Sequence, residues 1–173
     1  GDLAAQADTA KALVGHEGNV FAGEPEHRIG GRLAARTGAH HVTHVGHQIA
    51  AGTQLAVCVP FPYLAQAGEA LKGSAVAWGA QDISAQAQGA FTGEVSGAML
   101  KDFACRYALV GHSERRAIYG ETDALVAARY AKAISHGVTP ILCVGETLEE
   151  RESDRTFSVI DDQIDAVIAT SGV

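Results

Sequence analysis

From residue 55 onward, short apolar runs alternate with stretches in which apolar residues recur every three or four positions. The runs are LAVCVP at 55–60, AVAWGA at 75–80, RYALVG at 106–111 and VTPILCVG at 138–145. Their nearly continuous aliphatic character predicts strands covered on both faces of a parallel sheet. Helix signals fill the gaps. Pro62 suits the first turn of a helix over 63–72, and Gly73 stops it. Ser96 can cap a short helix holding Met99, Leu100 and Phe103. Thr122 precedes Val126, Tyr130, Ala133 and Ile134, which share a helical face closed by Gly137. Thr147 and Glu150 have capping-box spacing, and Phe157, Ile160, Ile164, Val167 and Ile168 give the last helix one apolar face.

Strands starting near residues 55, 75, 106 and 138 stand one βα unit apart, which predicts a parallel α/β architecture. Periodicity leaves a doubly wound sheet and a barrel equally open, since a barrel takes eight units and typically about 250 residues. Residues 2–14 read as an amphipathic helix on Leu3, Ala10 and Leu13. Residues 16–53 show no period and hold six of the eight histidines.

A chain of 173 residues with 47% hydrophobic content can build one core, so a single domain over 1–173 is expected. The net charge of −7 argues against a nucleic-acid footprint. It leaves room for a small anionic ligand held by backbone N–H groups. No apolar run approaches the roughly 20 residues of a membrane span, and no basic leader opens the chain, so a soluble, cytoplasmic protein is expected. Cys58, Cys105 and Cys143 form no CxxC pair, which disfavours disulfide and zinc frameworks. Cys58 and Cys143, inside apolar runs, read as small buried hydrophobes.

In a parallel α/β unit, functional groups gather where a strand ends and the next helix begins. The chain puts Gly111-His112-Ser113-Glu114 at such a point. Ser113 can cap the helix, and the first-turn N–H groups can donate to one imidazole nitrogen of His112. The other nitrogen then faces outward as an N–H donor. A neutral ring held so can polarise a substrate carbonyl, which suits enediolate chemistry. From position alone, a satisfied core or interface histidine is an equal reading.

The string YALVGHSERRAIYGETD at 107–123 changes that balance. With CVPFPY at 58–63, GAQD at 79–82, GAFTGE at 89–94 and PILCVGETLEER at 140–151, all in the right order, the chain resembles the triosephosphate isomerase family. Residues 1–14 are similar to the family's first helix. The resemblance implies a (β/α)8 TIM barrel, with about units 2 to 5 recognisable here, and interconversion of dihydroxyacetone phosphate and glyceraldehyde 3-phosphate. Glycolysis and gluconeogenesis, a cytoplasmic homodimer and the absence of any cofactor or metal follow from it. A neutral, electrophilic histidine is the known pattern of this family, so its agreement with the reading above is not independent.

Carried over residue by residue, His112 matches the electrophile, with Ser113 and Glu114 as supporting neighbours. Helix capping and helix-dipole preference explain those two neighbours as well. Arg115, Arg116, Glu121 and Asp123 resemble the salt-bridge set that braces this loop and the subunit contact, against a solvated charge cluster as the plain alternative. Gln81 to Glu94 resembles the loop that inserts into a second subunit, making Gln81, Phe91, Thr92, Gly93, Glu94 and Arg115 interface candidates. The plain alternative is a surface loop. Glu146 and Glu149 invite a general-base reading, but Glu146 matches a structural position and the capping box accounts for the acidic helix start.

The family's substrate lysine, in an Asn-Trp-Lys setting, has no match, because the single tryptophan, Trp78, is followed by no lysine. Its base glutamate and phosphate loops are unmatched too. Glu24-Pro25 is followed by Glu26-His27 rather than an apolar strand. The expectation is therefore family identity without turnover from these residues alone, the alternative being a non-catalytic protein that associates through the 81–94 loop. Residues 16–53 are read as an atypical insertion or an unreliable, out-of-frame stretch. His40, His41, His44 and His47, as a transition-metal cluster, rank below both.

Overall fold

The computed structural model describes residues 12–15, 19–23 and 54–172. It divides into two compact units, Gly1–Gln81 with Phe103–Tyr107, and Asp82–Asp102 with Ala108–Val173. Among the described residues, no helix is long and apolar enough to cross a membrane.

The first unit contains strands β1 (Ala12–Gly15), β2 (Asn19–Gly23), β3 (Leu55–Val59) and β4 (Val76–Ala80). β1 runs antiparallel to β2, whereas β2, β3 and β4 pair in parallel, with Phe21 beside Ala56 and Ala56 beside Ala77. All five residues of β3 are buried, as its unbroken aliphatic run requires. After Pro60 a 3-10 turn at Phe61–Tyr63 leads into α1 (Leu64–Leu71), which buries Leu64, Ala67 and Leu71 from one face. Gly73 ends the segment at φ +78°.

Two expectations fail at the beginning of the chain. Ala12–Val14 is strand rather than the end of a helix, and β2 lies in a stretch that carries no visible period. Three apolar residues next to Gly15 pair with a segment that includes Val20 and Phe21, so cross-strand pairing overrides the helical propensity of an alanine-rich lead-in. The rest of that expected helix, and His40, His41, His44 and His47, lie outside the described residues.

Strand β5 (Tyr107–Val110) begins in the first unit. Gly79 meets Tyr107 so closely that a Cβ on it would lie 2.2 Å from the Tyr107 carbonyl oxygen. The Arg106 N–H donates to the Trp78 carbonyl at 2.9 Å, and the Trp78 indole N–H to the Phe103 carbonyl at 2.8 Å. Cys105 is buried, and burial pushes its thiol up to about 11, the behaviour of an inert core residue.

The second unit holds α2 (Gly97–Asp102), the rest of β5, α3 (Ser113–Tyr119), α4 (Asp123–Ser135), β6 (Thr139–Leu142), α5 (Leu148–Glu152) and α6 (Thr156–Ser171). Three of the caps fall where the sequence put them. Ser96 Oγ accepts from the Met99 N–H, Thr122 Oγ1 from the Leu125 N–H, and Thr147 with Glu150 forms the full capping box. The buried faces differ from expectation. On α4 the inner residues are Val126, Ala127, Arg129 and Ala133, while Ile134 turns outward. On α6 they are Gln163 and Val167, with Phe157, Ile164 and Ile168 exposed. β6 is only partly covered: α4 packs on it, while Thr139 stays exposed.

Replacing Gly79 with alanine forces backbone apart rather than a flexible side chain. Gly79→Ala is expected to lose about 1–3 kcal/mol in urea denaturation, the usual cost of overpacking. An unchanged midpoint would mean that the close approach to Tyr107 does not exist.

Candidate functional site

β5 ends in a turn that only glycine fits. Gly111 sits at φ +75°, and a Cβ there would lie 2.8 Å from Val126 Cγ1 and 3.2 Å from the Cys143 carbonyl. His112 follows in extended backbone and is itself the N-cap of α3. Its carbonyl accepts the first helical bond from the Arg116 N–H, and its ring Nδ1 accepts from the Glu114 N–H at 3.3 Å. Ser113, expected as the cap, is instead the first helical residue. The imidazole has taken the position a serine hydroxyl would occupy.

That bond fixes the tautomer. A proton on Nδ1 would set two donors against each other, so the lone pair belongs on Nδ1 and the proton on Nε2. The ring is 43% exposed, which leaves Nε2–H able to donate to an oxygen outside. Glu114 places Oε2 3.6 Å from Nδ1.

Two arginines hold α3 in place. Arg116 donates from Nε to the Gly111 carbonyl at 2.8 Å and pairs with Asp123 through Nη1. Arg115 bonds Glu121 at 2.7 Å and Asp82 at 2.9 Å, with its guanidinium 5.1 Å from the Tyr119 ring centre. Asp82 also receives Arg129 Nη1 at 2.8 Å on both oxygens, and the same nitrogen donates to the Ile83 carbonyl. Arg129 Nη2 reaches Glu121 at 3.4 Å and Glu94 at 3.8 Å. Burial raises the Asp82 carboxyl above the usual range, outweighing the opposing pull of Arg129 and Arg115. The charge cluster is thus an internal brace, with Glu121 only 2% exposed, rather than a solvated surface.

The interface candidates fall in both units. In the first unit, Gln81 donates from Nε2 to the Cys58 carbonyl at 3.3 Å. In the second, Ser84 anchors the loop through its N–H to the Val95 carbonyl, and Phe91, Thr92, Gly93 and Glu94 are exposed at its far end. Arg115 spends its guanidinium on Asp82 and Glu121.

The loop after β6 is pinned at several points. The Cys143 N–H donates to the Val110 carbonyl at 2.9 Å. Buried Gln163 closes two 2.9 Å bonds on Gly145, Oε1 accepting from its N–H and Nε2 donating to its carbonyl. Glu146 accepts from Arg151 at 2.7 Å and Thr156 at 3.3 Å, and the Arg151 hydrogen bond holds its carboxyl below the usual range. The Thr147 N–H does the same for Glu150. Glu146 is therefore occupied, as a structural residue would be. Burial raises the Cys143 thiol, against the pull of Arg116.

A cleft of about 540 Å³ opens beside these segments, with Ser113, Arg116, Asp123, Glu146, Arg155 and Gln163 among its lining residues. No group of three His, Cys, Asp or Glu among the described residues is placed to hold a metal ion. Sequence reasoning missed Asp82, Arg129 and Gln163 as organisers of the site. The available signal was a polar residue on a buried helix stripe, Arg129 between Val126 and Ala133, and Gln163 four before Val167.

The triosephosphate isomerase family model matches residues 30–173. Among similar curated proteins, the triosephosphate isomerase of Thiobacillus denitrificans is 62% identical over 122 residues, covering 70% of this chain and 49% of the relative. That of Ralstonia nicotianae is 59% identical over 119 residues, covering 69% and 48%. That of Cupriavidus taiwanensis is 52% identical over 141 residues, covering 82% and 57%. The chain spans about half the length of these relatives.

Removing Arg129 would leave Asp82 and Glu121, two carboxylates inside the protein, sharing Arg115 alone. Arg129→Met is expected to lose about 3–5 kcal/mol in urea or guanidinium denaturation, the cost of breaking a buried pair from one side. A loss under about 1 kcal/mol, typical of surface pairs, would show the cluster to be solvated.

Proposed function

The chain belongs to the triosephosphate isomerase family, a family of (β/α)8 barrels, and from that premise we propose that it carries the carbonyl-polarising part of a triose-phosphate isomerase site. The reaction is the cytoplasmic interconversion of dihydroxyacetone phosphate and glyceraldehyde 3-phosphate through an enediolate, in glycolysis and gluconeogenesis, without a cofactor. His112 is the electrophile, and Ser113 and Glu114 support it.

The observation that supports this reading best is the bond from the Glu114 N–H to His112 Nδ1. It leaves Nε2–H as the donor to the substrate carbonyl, where charge grows as the enediolate forms. A donor already aimed at that oxygen lowers the barrier without reorganising at the moment of reaction. Proton abstraction also needs a carboxylate at the carbon acid and a cation for the phosphate. The family's residues for both roles have no match among these 173.

Isomerase turnover by the 173-residue chain is therefore expected to fall below detection in a coupled assay. Turnover that survives His112→Ala would overturn the electrophile assignment, and turnover abolished by it would mean that a substitute base exists. The His112 ring nitrogens, followed by 15N NMR at neutral pH, are expected to show the proton on Nε2. A ring protonated on Nδ1 would also overturn the assignment.

The exposed tip of the 84–95 region favours a second reading, association into a homodimer. Phe91 is 45% exposed there, beside exposed Thr92 and Gly93. Light scattering is expected to give a dimer for the chain and a monomer for Thr92→Arg. A monomeric parent would end this reading.

A further inference from the structure

We propose that Gln163 is a positioning residue for His112, acting through Gly145 and the loop that packs against the Gly111 turn. The proposal rests on the reading of His112 as the electrophile. Gln163 is 7% exposed, and a buried amide is costly unless its polar atoms are matched. Here the match is complete with a single residue, the amide oxygen on the Gly145 N–H and the amide nitrogen on the Gly145 carbonyl, each at 2.9 Å. The two partners also fix which end of the amide is which. Gln163 engages Gly145 as a hydrogen-bonded strand partner would.

Nothing local forces residue 145 into this place. A Cβ on Gly145 would meet no atom within 4 Å, and its φ lies outside the left-handed region. Glu146, Thr147 and Glu150 bond to Arg151, to Thr156 at the start of α6 and to one another, and none of these bonds ties the segment to β5. Three bonded contacts hold the loop to neighbouring elements, the Cys143 N–H on Val110, the Thr156 hydroxyl on Glu146 and the Gln163 clamp on Gly145, and of these the clamp alone engages the backbone of residue 145.

The loop in turn encloses the Gly111 turn. The Cys143 carbonyl stands where a Cβ on Gly111 would be 3.2 Å away, with Val126 and Arg116 Nη2 on its other sides. Gly111 passes its geometry directly to His112. The bond that fixes the ring, from the Glu114 N–H to Nδ1, is 3.3 Å, at the long end of the hydrogen-bond range. A bond this long is lost with a small displacement of the turn. Gln163 therefore helps to decide which tautomer His112 presents.

The test is side-chain 15N NMR of His112 in the parent chain, Gln163→Met and Gln163→Glu. The first variant removes both bonds, and the second keeps the acceptor but loses the donor to the Gly145 carbonyl. Each is expected to raise the minor, Nδ1-protonated population of His112 by about threefold or more while circular dichroism stays native. A purely structural Gln163 would lower the melting temperature and leave the ring spectrum alone, and that result in a folded variant overturns the proposal.

Hydrogen exchange in the parent chain gives an arm that needs no variant. The Gly145 and Glu114 amides are expected to exchange through one opening, at free energies corresponding to rates within about threefold. A difference beyond about tenfold overturns the coupling. A parent ring protonated on Nδ1 would overturn the His112 assignment instead, so the two failures are told apart.

Discussion

Asp82 and Arg129 stand 47 residues apart in sequence, yet one guanidinium nitrogen reaches both oxygens of the carboxylate at 2.8 Å. The organisation of the second unit follows from that contact. Arg129 also holds the Ile83 carbonyl and approaches Glu121, and Arg115 then joins the same two carboxylates from α3. A seven-residue helix has too few internal bonds to persist by itself. α3 is placed by what its arginines grip, Arg115 on the buried cluster and Arg116 on Gly111 and Asp123. Burial makes such a cluster costly to assemble, as the raised Asp82 carboxyl shows, and the cost is offset only while each partner is present.

His112 shows how closely local structure and chemistry can coincide. It is the cap of α3, so one hydrogen bond both satisfies a free helix N–H and selects the ring tautomer. A serine at the same place would terminate the helix equally well and carry no ring to aim. The sequence put the histidine at the strand-to-helix boundary but assigned the cap to Ser113, because serine is the commoner choice and residue type cannot distinguish adjacent positions.

The strands from β3 onward and most caps were legible because their signals are local. Thr122, Thr147 with Glu150, Gly73 and Gly137 each act on residues within one turn. β1 and β2 were not legible, since three apolar residues at 12–14 become a strand only by pairing with a segment that has no period of its own. Asp82 and Arg129 escaped for the same reason. Their partnership joins two residues 47 apart, and the apolar stripe around Arg129 marks a buried position without naming its partner. Arg115 and Glu121 were recognised as bracing charges because they sit six apart in one motif.

The orientation of α6 follows from the same competition between local pattern and distant partner. By hydrophobic spacing alone the helix should turn Phe157, Ile164 and Ile168 inward, and leaving such a side chain exposed forgoes about 1.5–3 kcal/mol. One edge of that face carries Val167 against the core beside Gln163, and rotating it away would strip the Gly145 N–H and carbonyl of their partner. An unsatisfied buried polar group costs about 1–3 kcal/mol, so losing both bonds offsets part of the apolar gain. Packing of α4 along α6 adds to the same side. The helix in this chain therefore lies where Gly145 is satisfied, and apolar periodicity, which contains no information about Gly145, includes Val167 but places the centre of the buried face part of a turn away.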